Sequence, residues 1–228
     1  MRKTKAMVVS RKKVPPKPTV MLNGLPVELV SSFRYLGILL SFDLSWSLHI
    51  LSACVKAKRL IGFIYRSFFL SSQHCLSYLY KTLVRPILEY CSVVWDPYHL
   101  KYSKMLERVQ NFAGRVSTRD WTATPEDIRQ KLGWPLLSVR RTYLKLALCR
   151  RILTGGSLIP SSVFSPHTYS MVRHTNSCPL LLPFVRTEYH HGFFFVNVVP
   201  TWNALPESIV SIVSDQVFKK YLKLYLVV

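Results

Sequence analysis

Over residues 48–68 the apolar side chains recur at a helical period. Ile50, Cys54, Ala57, Ile61, Ile64 and Phe68 fall on one stripe, while Lys56, Arg59 and Arg66 fall away from it. A helix this long with one apolar face needs other elements to cover it. The downstream sequence offers more helices. One pattern follows Ser72, with Leu76, Leu79, Tyr80 and Leu83 on its apolar side, and Pro86 must kink or stop it. Residues 87–95 read as a second, buried segment. Over 101–117, Tyr102, Met105, Leu106, Val109, Phe112, Ala113 and Val116 define a core face. Lys101, Lys104, Arg108 and Arg115 define another, at spacings of three, four and seven, and Glu107 is the sole acid among them. Thr124-Pro125-Glu126-Asp127 is a helix start, with Thr124 as cap, Pro125 in the first position and two acids facing the helix dipole. Capping accounts for Glu126 and Asp127 without a catalytic role. Residues 139–153 form a further helix with paired arginines at both ends, closed by Gly155-Gly156-Ser157. Val217, Phe218, Tyr221, Leu222 and Tyr225 face inward on a last helix, with Lys219, Lys220 and Lys223 outward.

Before the first helix the pattern is β. Residues 19–22 and 25–28 flank Asn23-Gly24, the preferred two-residue hairpin turn because both positions accept positive φ. Pro26 cannot donate to a ladder, which puts its strand at an edge. Residues 33–40 read as a third, buried strand that hands over to the helix after Trp46, and residues 5–10 have the composition of a short strand. Residues 193–196 are strand-like and 201–206 a short turn of helix. Residues 157–192 are polar, proline-dotted and weakly periodic, a loop or linker. The expected fold is α+β, mainly α: short N-terminal antiparallel strands followed by a helical bundle. The expected divisions are 1–46, 47–155, 156–192 and 193–228.

Charge narrows the partner. The chain has 31 basic and 11 acidic residues, a formal net charge of +20. That bias favours a polyanion, nucleic acid first and an anionic membrane surface second. A basic arm opens the chain (Arg2, Lys3, Lys5, Arg11, Lys12, Lys13, Lys17), with Pro15, Pro16 and Pro18 close behind. Residues 128–187 contain no acid but hold Arg129, Lys131, Arg140, Arg141, Lys145, Arg150, Arg151, Arg173 and Arg186. The most apolar run, 60–70, is interrupted by Arg66 and is too short to span a bilayer. No signal-peptide apolar core follows Met1. Five widely spaced cysteines without a Cys-x-x-Cys point to reduced core thiols in an intracellular protein. His167, His174, His190 and His191 have no carboxylate or cysteine at ligand spacing, so no metal site is expected. The two glycines at 155 and 156 do not make a phosphate loop.

Several motifs, in consistent order, carry a family resemblance. Phe33-Arg34-Tyr35-Leu36-Gly37-Ile38, followed by Leu44-Ser45-Trp46 and His49-Ile50, resembles the palm–thumb junction of reverse transcriptases from non-LTR (LINE-type, jockey- and CR1-like) retrotransposons. Leu79-Tyr80-Lys81-Thr82-Leu83-Val84-Arg85-Pro86-Ile87-Leu88-Glu89-Tyr90 resembles a thumb segment of those polymerases. Leu106-Glu107-Arg108-Val109-Gln110-Asn111-Phe112 resembles the helix after it. Trp202-Asn203-Ala204-Leu205-Pro206 and Phe218-Lys219 are similar to the family's C-terminal segment, and Arg2-Lys3-Thr4-Lys5-Ala6-Met7 to the stretch that follows its catalytic loop.

The resemblance implies roles. Phe33, Tyr35, Leu36 and Gly37 match the primer grip. Lys3 falls where these polymerases place a lysine near the incoming nucleotide's phosphates. Lys56, Arg59, Lys104, Arg108 and Arg115 would track a primer–template backbone. The family's metal-binding Asp-Asp hairpin lies upstream of the Lys-Thr stretch, and the sequence begins after that point. The chain is therefore expected to be a truncated remnant, with no catalytic residue, no metal ligand and no cofactor of its own. Mg²⁺ would belong only to a full-length polymerase. Expected partners are RNA, DNA or an RNA–DNA hybrid, together with an upstream palm and fingers segment, in the nucleus or cytoplasm. Two alternatives stay open: an unrelated basic helical nucleic-acid-binding module, and a structural protein that attaches to anionic membrane surfaces.

Overall fold

The computed structural model describes residues 4–10, 18–166 and 176–227, and of Glu188 and Tyr189 the backbone alone. Most of the basic arm (Arg2, Lys3, Arg11, Lys12, Lys13, Lys17), with Arg173, His167 and His174, lies outside the described residues. The fold is α+β and mainly α, with short antiparallel strand pairs followed by helices.

Strands β1 (Met21–Leu22) and β2 (Leu25–Pro26) pair around Asn23-Gly24, whose φ values of 50° and 76° are those of the expected turn. Val27 N donates to Val20 O at 2.8 Å, so the ladder bonds bracket Pro26, which sits opposite Met21 and owes none. The expected single strand over 33–40 is instead a second hairpin. β3 (Ser32–Tyr35) and β4 (Ile38–Ser41) pair antiparallel across Leu36 and Gly37, at φ 46° and 86°. Two successive positive φ values reverse the chain. Nor is this strand buried: Phe33 is half-buried, and Arg34, Tyr35, Leu36 and Gly37 are exposed. Residues 5–10 run extended beside the hairpins. Ala6 bridges Leu29, and Ser10 N donates to Phe42 O at 3.0 Å.

Helix α1 (Ser47–Ser67) buries the expected stripe except Phe68, which lies just past its end and is exposed. Ser72 caps α2 (Gln73–Leu79) by accepting from Cys75 N. The chain then passes through Pro86 without stopping. Residues Tyr80–Val84 form a π turn in which Arg85 N reaches back to Tyr80 O, and α3 (Arg85–Glu89) follows. Proline has no N–H to return, and the widened turn absorbs the missing bond. The segment 87–95 is not one buried unit. It breaks at Cys91, in the left-handed region at φ 50°, before α4 (Ser92–Trp95), and Tyr90 and Val94 are exposed.

Helix α5 (Leu100–Thr118) buries Leu106, Val109, Ala113 and Val116, with Tyr102, Met105 and Phe112 half-buried. α6 (Pro125–Leu132) opens with the expected cap as a full capping box: Thr124 Oγ1 accepts from Asp127 N, and Asp127 Oδ2 from Thr124 N. α7 (Leu137–Leu153) follows, then a single 3₁₀ turn (Ser161–Val163) within the expected loop, α8 (Glu188–His191) and α9 (Phe194–Asn203). The strand expected over 193–196 is the first turn of α9. Phe194, Val198 and Trp202 recur every four residues against the core, and that packing overrides the β preference of the phenylalanines and valines. α10 (Glu207–Val210) and α11 (Asp215–Leu226) complete the chain. Of the inward face expected on α11, only Phe218 and Leu222 are buried.

Apolar side chains gather in two clusters. The first holds Ile50, Ile61, Leu88, Trp95, Leu106, Val109 and Ile128 from α1 through α6, and the second Phe164, Leu180, Phe194, Val198, Trp202, Phe218 and Leu222. α7 belongs to both, through Leu137 at its start and Leu146, Cys149 and Ile152 further on. The five cysteines are free, but only Cys54 and Cys149 are core thiols, pushed by burial up to about 11 and about 12; Cys91 and Cys178 are exposed.

Candidate nucleic-acid interface

The tip of the β3–β4 hairpin is tied to the helices by one side chain. Tyr90 Oη donates to Leu36 O at 3.0 Å, and its ring lies so close to Gly37 that an added Cβ would meet Tyr90 Cε1 at 3.2 Å. Behind the tip, Leu39 N donates to His49 Nδ1 at 3.2 Å. That bond puts the imidazole proton on Nε2. His49 is buried and tilted against Trp95, and burial first, then nearby Arg34, lowers its pKa below the ordinary 6.5.

Hairpin, α1 and α3 thereby enclose a cleft of about 350 Å³, lined by Arg34, Gly37, His49, Lys56, Ile87 and Tyr90 among others. Of the residues singled out in the sequence, Gly37 and Lys56 meet here. Tyr35 and Leu36 stand exposed outside the cleft, and Phe33 is half-buried. Arg59, one turn beyond Lys56, is exposed on α1. Lys104 and Arg108 are exposed on α5, whereas Arg115 is half-buried with its Nε lacking a hydrogen-bond partner.

The distribution of acids sets the electrostatics. Of the 11 acids, Glu188 has no described side chain, which leaves 11 − 1 = 10, and each of these has a partner within the protein. Glu28 pairs with Lys5, Glu89 with Arg85 and Arg140, Asp96 with Arg141 and Lys145, Glu126 with Arg129, and Asp215 with Lys219. Asp43 accepts from Ser41 Oγ at 2.6 Å and Ser45 N at 3.0 Å, and Asp120 from Thr122 and Ala123 N–H. These bonds hold Asp120 below the usual carboxylate range, while at Asp43 they outweigh burial, the largest single influence, which acts upward. Asp127 closes its capping box and Glu207 accepts from Ser177 N at 2.5 Å. Glu107, the acid of the α5 motif, turns from the ridge to cap α7, accepting from Leu137 N at 3.3 Å and Ser138 N at 2.9 Å.

Among the described residues, then, Lys56, Arg59, Lys104, Arg108 and Arg115 face no carboxylate in an ion pair. The arginines of α7 differ. Arg141 Nε lies 2.6 Å from Asp96 Oδ1, and Lys145 Nζ 2.5 Å from Asp96 Oδ2 and 2.5 Å from Asn197 Oδ1, all largely buried. Arg150 donates to Val210, Ile212 and Val213 carbonyls at the end of α10. These cations are structural.

Arg34, His49 and Tyr90 join the cleft; the sequence motifs contain them but assign them no role in binding. A reversal at Leu36-Gly37, had it been recognised from the glycine, places Arg34 beside the tip. Nothing local marks Tyr90. Among the described residues no cluster of His, Cys, Asp and Glu has the makings of a metal site, and no helix is long and apolar enough to cross a membrane. No protein-family model matches the chain, and neither does any curated protein or solved structure.

Proposed function

We propose that this chain binds nucleic acid without sequence preference, through the cleft behind the β3–β4 hairpin and the outward cations of α1 and α5. In this reading it is the end of the palm, the thumb and the downstream part of a non-LTR retrotransposon reverse transcriptase, and it grips primer–template, RNA, DNA or their hybrid, without carrying out nucleotide transfer itself. The observation that carries the reading is the segregation of charge: the described acids have partners within the protein, whereas among the described residues the α1 and α5 cations make no ion pair. Phosphate contacts of that kind position a duplex without reading bases.

Fluorescence anisotropy with a labelled RNA–DNA hybrid tests it. Changing Lys56, Arg59, Lys104 and Arg108 together to alanine is expected to weaken binding about equally for unrelated sequences. Each lost contact lowers the slope of log K against log salt by about 0.9. Unchanged affinity and slope would sink the proposal. Primer extension by the chain alone with Mg²⁺ would overturn its non-catalytic part.

A further inference from the structure

Apart from Tyr90, the titratable side chains that line the hairpin cleft are all basic: Arg34, His49 and Lys56. No carboxylate lines it, and among the described residues neither Arg34 nor Lys56 makes an ion pair. The three come from two elements. His49, Ser52 and Lys56 follow one another at spacings of three and four along one side of α1. Helical side chains lean toward the N-terminus, which brings Lys56 back toward His49. Arg34 stands opposite Leu39 in the ladder, and Leu39 N is the donor from which His49 Nδ1 accepts. His49 is the buried member, only 8% exposed. Its Nδ1 is bonded, but its Nε2–H has no acceptor among the described residues. A buried donor left over in a cleft with two unpaired cations is satisfied by an anion that reaches in.

We infer that the cleft takes the terminal phosphate monoester of a nucleic-acid strand, held by Arg34, Lys56 and the His49 Nε2–H. This deepens the reading above and rests on it. A terminal phosphate carries close to two charges and three free oxygens, one for each donor group. A phosphodiester within a strand has one charge and two free oxygens, and must carry a sugar on each side to reach His49. A carboxylate offers one charge and two oxygens. Neutral His49 suffices, because Nε2 keeps its proton.

The test uses the full chain and an RNA–DNA hybrid whose internally labelled DNA strand has a 5′-phosphate, a 3′-phosphate or hydroxyls at both ends, read by fluorescence anisotropy. One phosphorylated form is expected to bind about tenfold tighter than the hydroxyl form. Arg34→Gln and His49→Phe, which keeps a ring against Trp95, should each cut that advantage to about twofold or less. Lys104→Ala/Arg108→Ala should weaken all three forms together and leave the ratio unchanged, which separates a site from the mere addition of charge. Circular dichroism melts check folding. Should His49→Phe fail to fold, Arg34→Gln decides, since Arg34 is exposed. If wild type binds the three forms equally, or if either folded variant keeps the full ratio, this inference falls and the reading above stands; if wild type binds none of them, both fall. Inorganic phosphate should erase the advantage and acetate at equal ionic strength should not; erasure by acetate overturns the phosphate assignment. Adenosine monophosphate binding as tightly as the phosphorylated strand would give the cleft to free nucleotides and overturn the strand end.

Discussion

Helices α5 and α7 look alike on paper. They are 19 and 17 residues long, and each mixes apolar residues with four or five lysines and arginines. In the folded chain they use those charges oppositely. Lys101, Lys104 and Arg108 of α5 stand in solvent, whereas Arg141, Lys145 and Arg150 of α7 are buried. The acids that satisfy α7 come from far away: Asp96 is 45 residues before Arg141, and Glu89 is 51 before Arg140. A stretch without acids is therefore no measure of free positive charge. What decides is whether the fold brings a carboxylate back to it.

The contrast breaks most sharply at Asp96. Changing it to alanine strands two buried cations, and urea unfolding should show a loss of about 3–5 kcal/mol. Lys104→Ala and Arg108→Ala should each change stability by about 0.5 kcal/mol or less. Comparable losses at both places would erase the distinction between structural and available charge.

The inner face of α5 should be as intolerant as that of α7. A Cβ on Gly114 would lie 2.5 Å from Ile128 Cγ2. Gly114→Ala should cost about 1–3 kcal/mol by overpacking, despite alanine's better helix propensity. An unchanged melting temperature would mean that α6 yields readily. A milder effect than the loss of Asp96 concerns His49, a buried base. Its folded pKa is lowered, so in the acid range the unfolded chain binds the proton more readily. The stability that neutral His49 contributes is present above its unfolded value of about 6.5 and declines as the pH falls through and below it. Melting temperature should drop by a few degrees between about pH 7.5 and 5.5, and His49→Gln should flatten that dependence. A wild-type profile that is already flat would remove His49 as the cause.

How far the sequence could be read follows from how local each cause is. Asn23-Gly24 and Thr124-Pro125-Glu126-Asp127 act over a few residues, and both appear where expected. The reversal at Leu36 was illegible because leucine is a poor left-handed residue, and the group that holds it, Tyr90, sits 54 residues away. The first turn of α9 hid behind strand-forming residues that only the second cluster turns into a helix. In the candidate interface, Gly37 and Lys56 could be picked out from the chain. Arg34, His49 and Tyr90 could not, because the cleft exists only once hairpin and α3 meet. Arg115 looked like the others of its ridge, and its partial burial depends on neighbours that no spacing reveals.

Helix α7 lends side chains to both apolar clusters, its ion pairs reach Asp96 at the end of α4, and Lys145 hydrogen-bonds Asn197 of α9 as well. Neither half can come apart without uncovering a helix the other half needs. Amide protons deep in α1 and in α9 should accordingly exchange through one shared opening with one free energy, so that the molecule melts as a single cooperative unit.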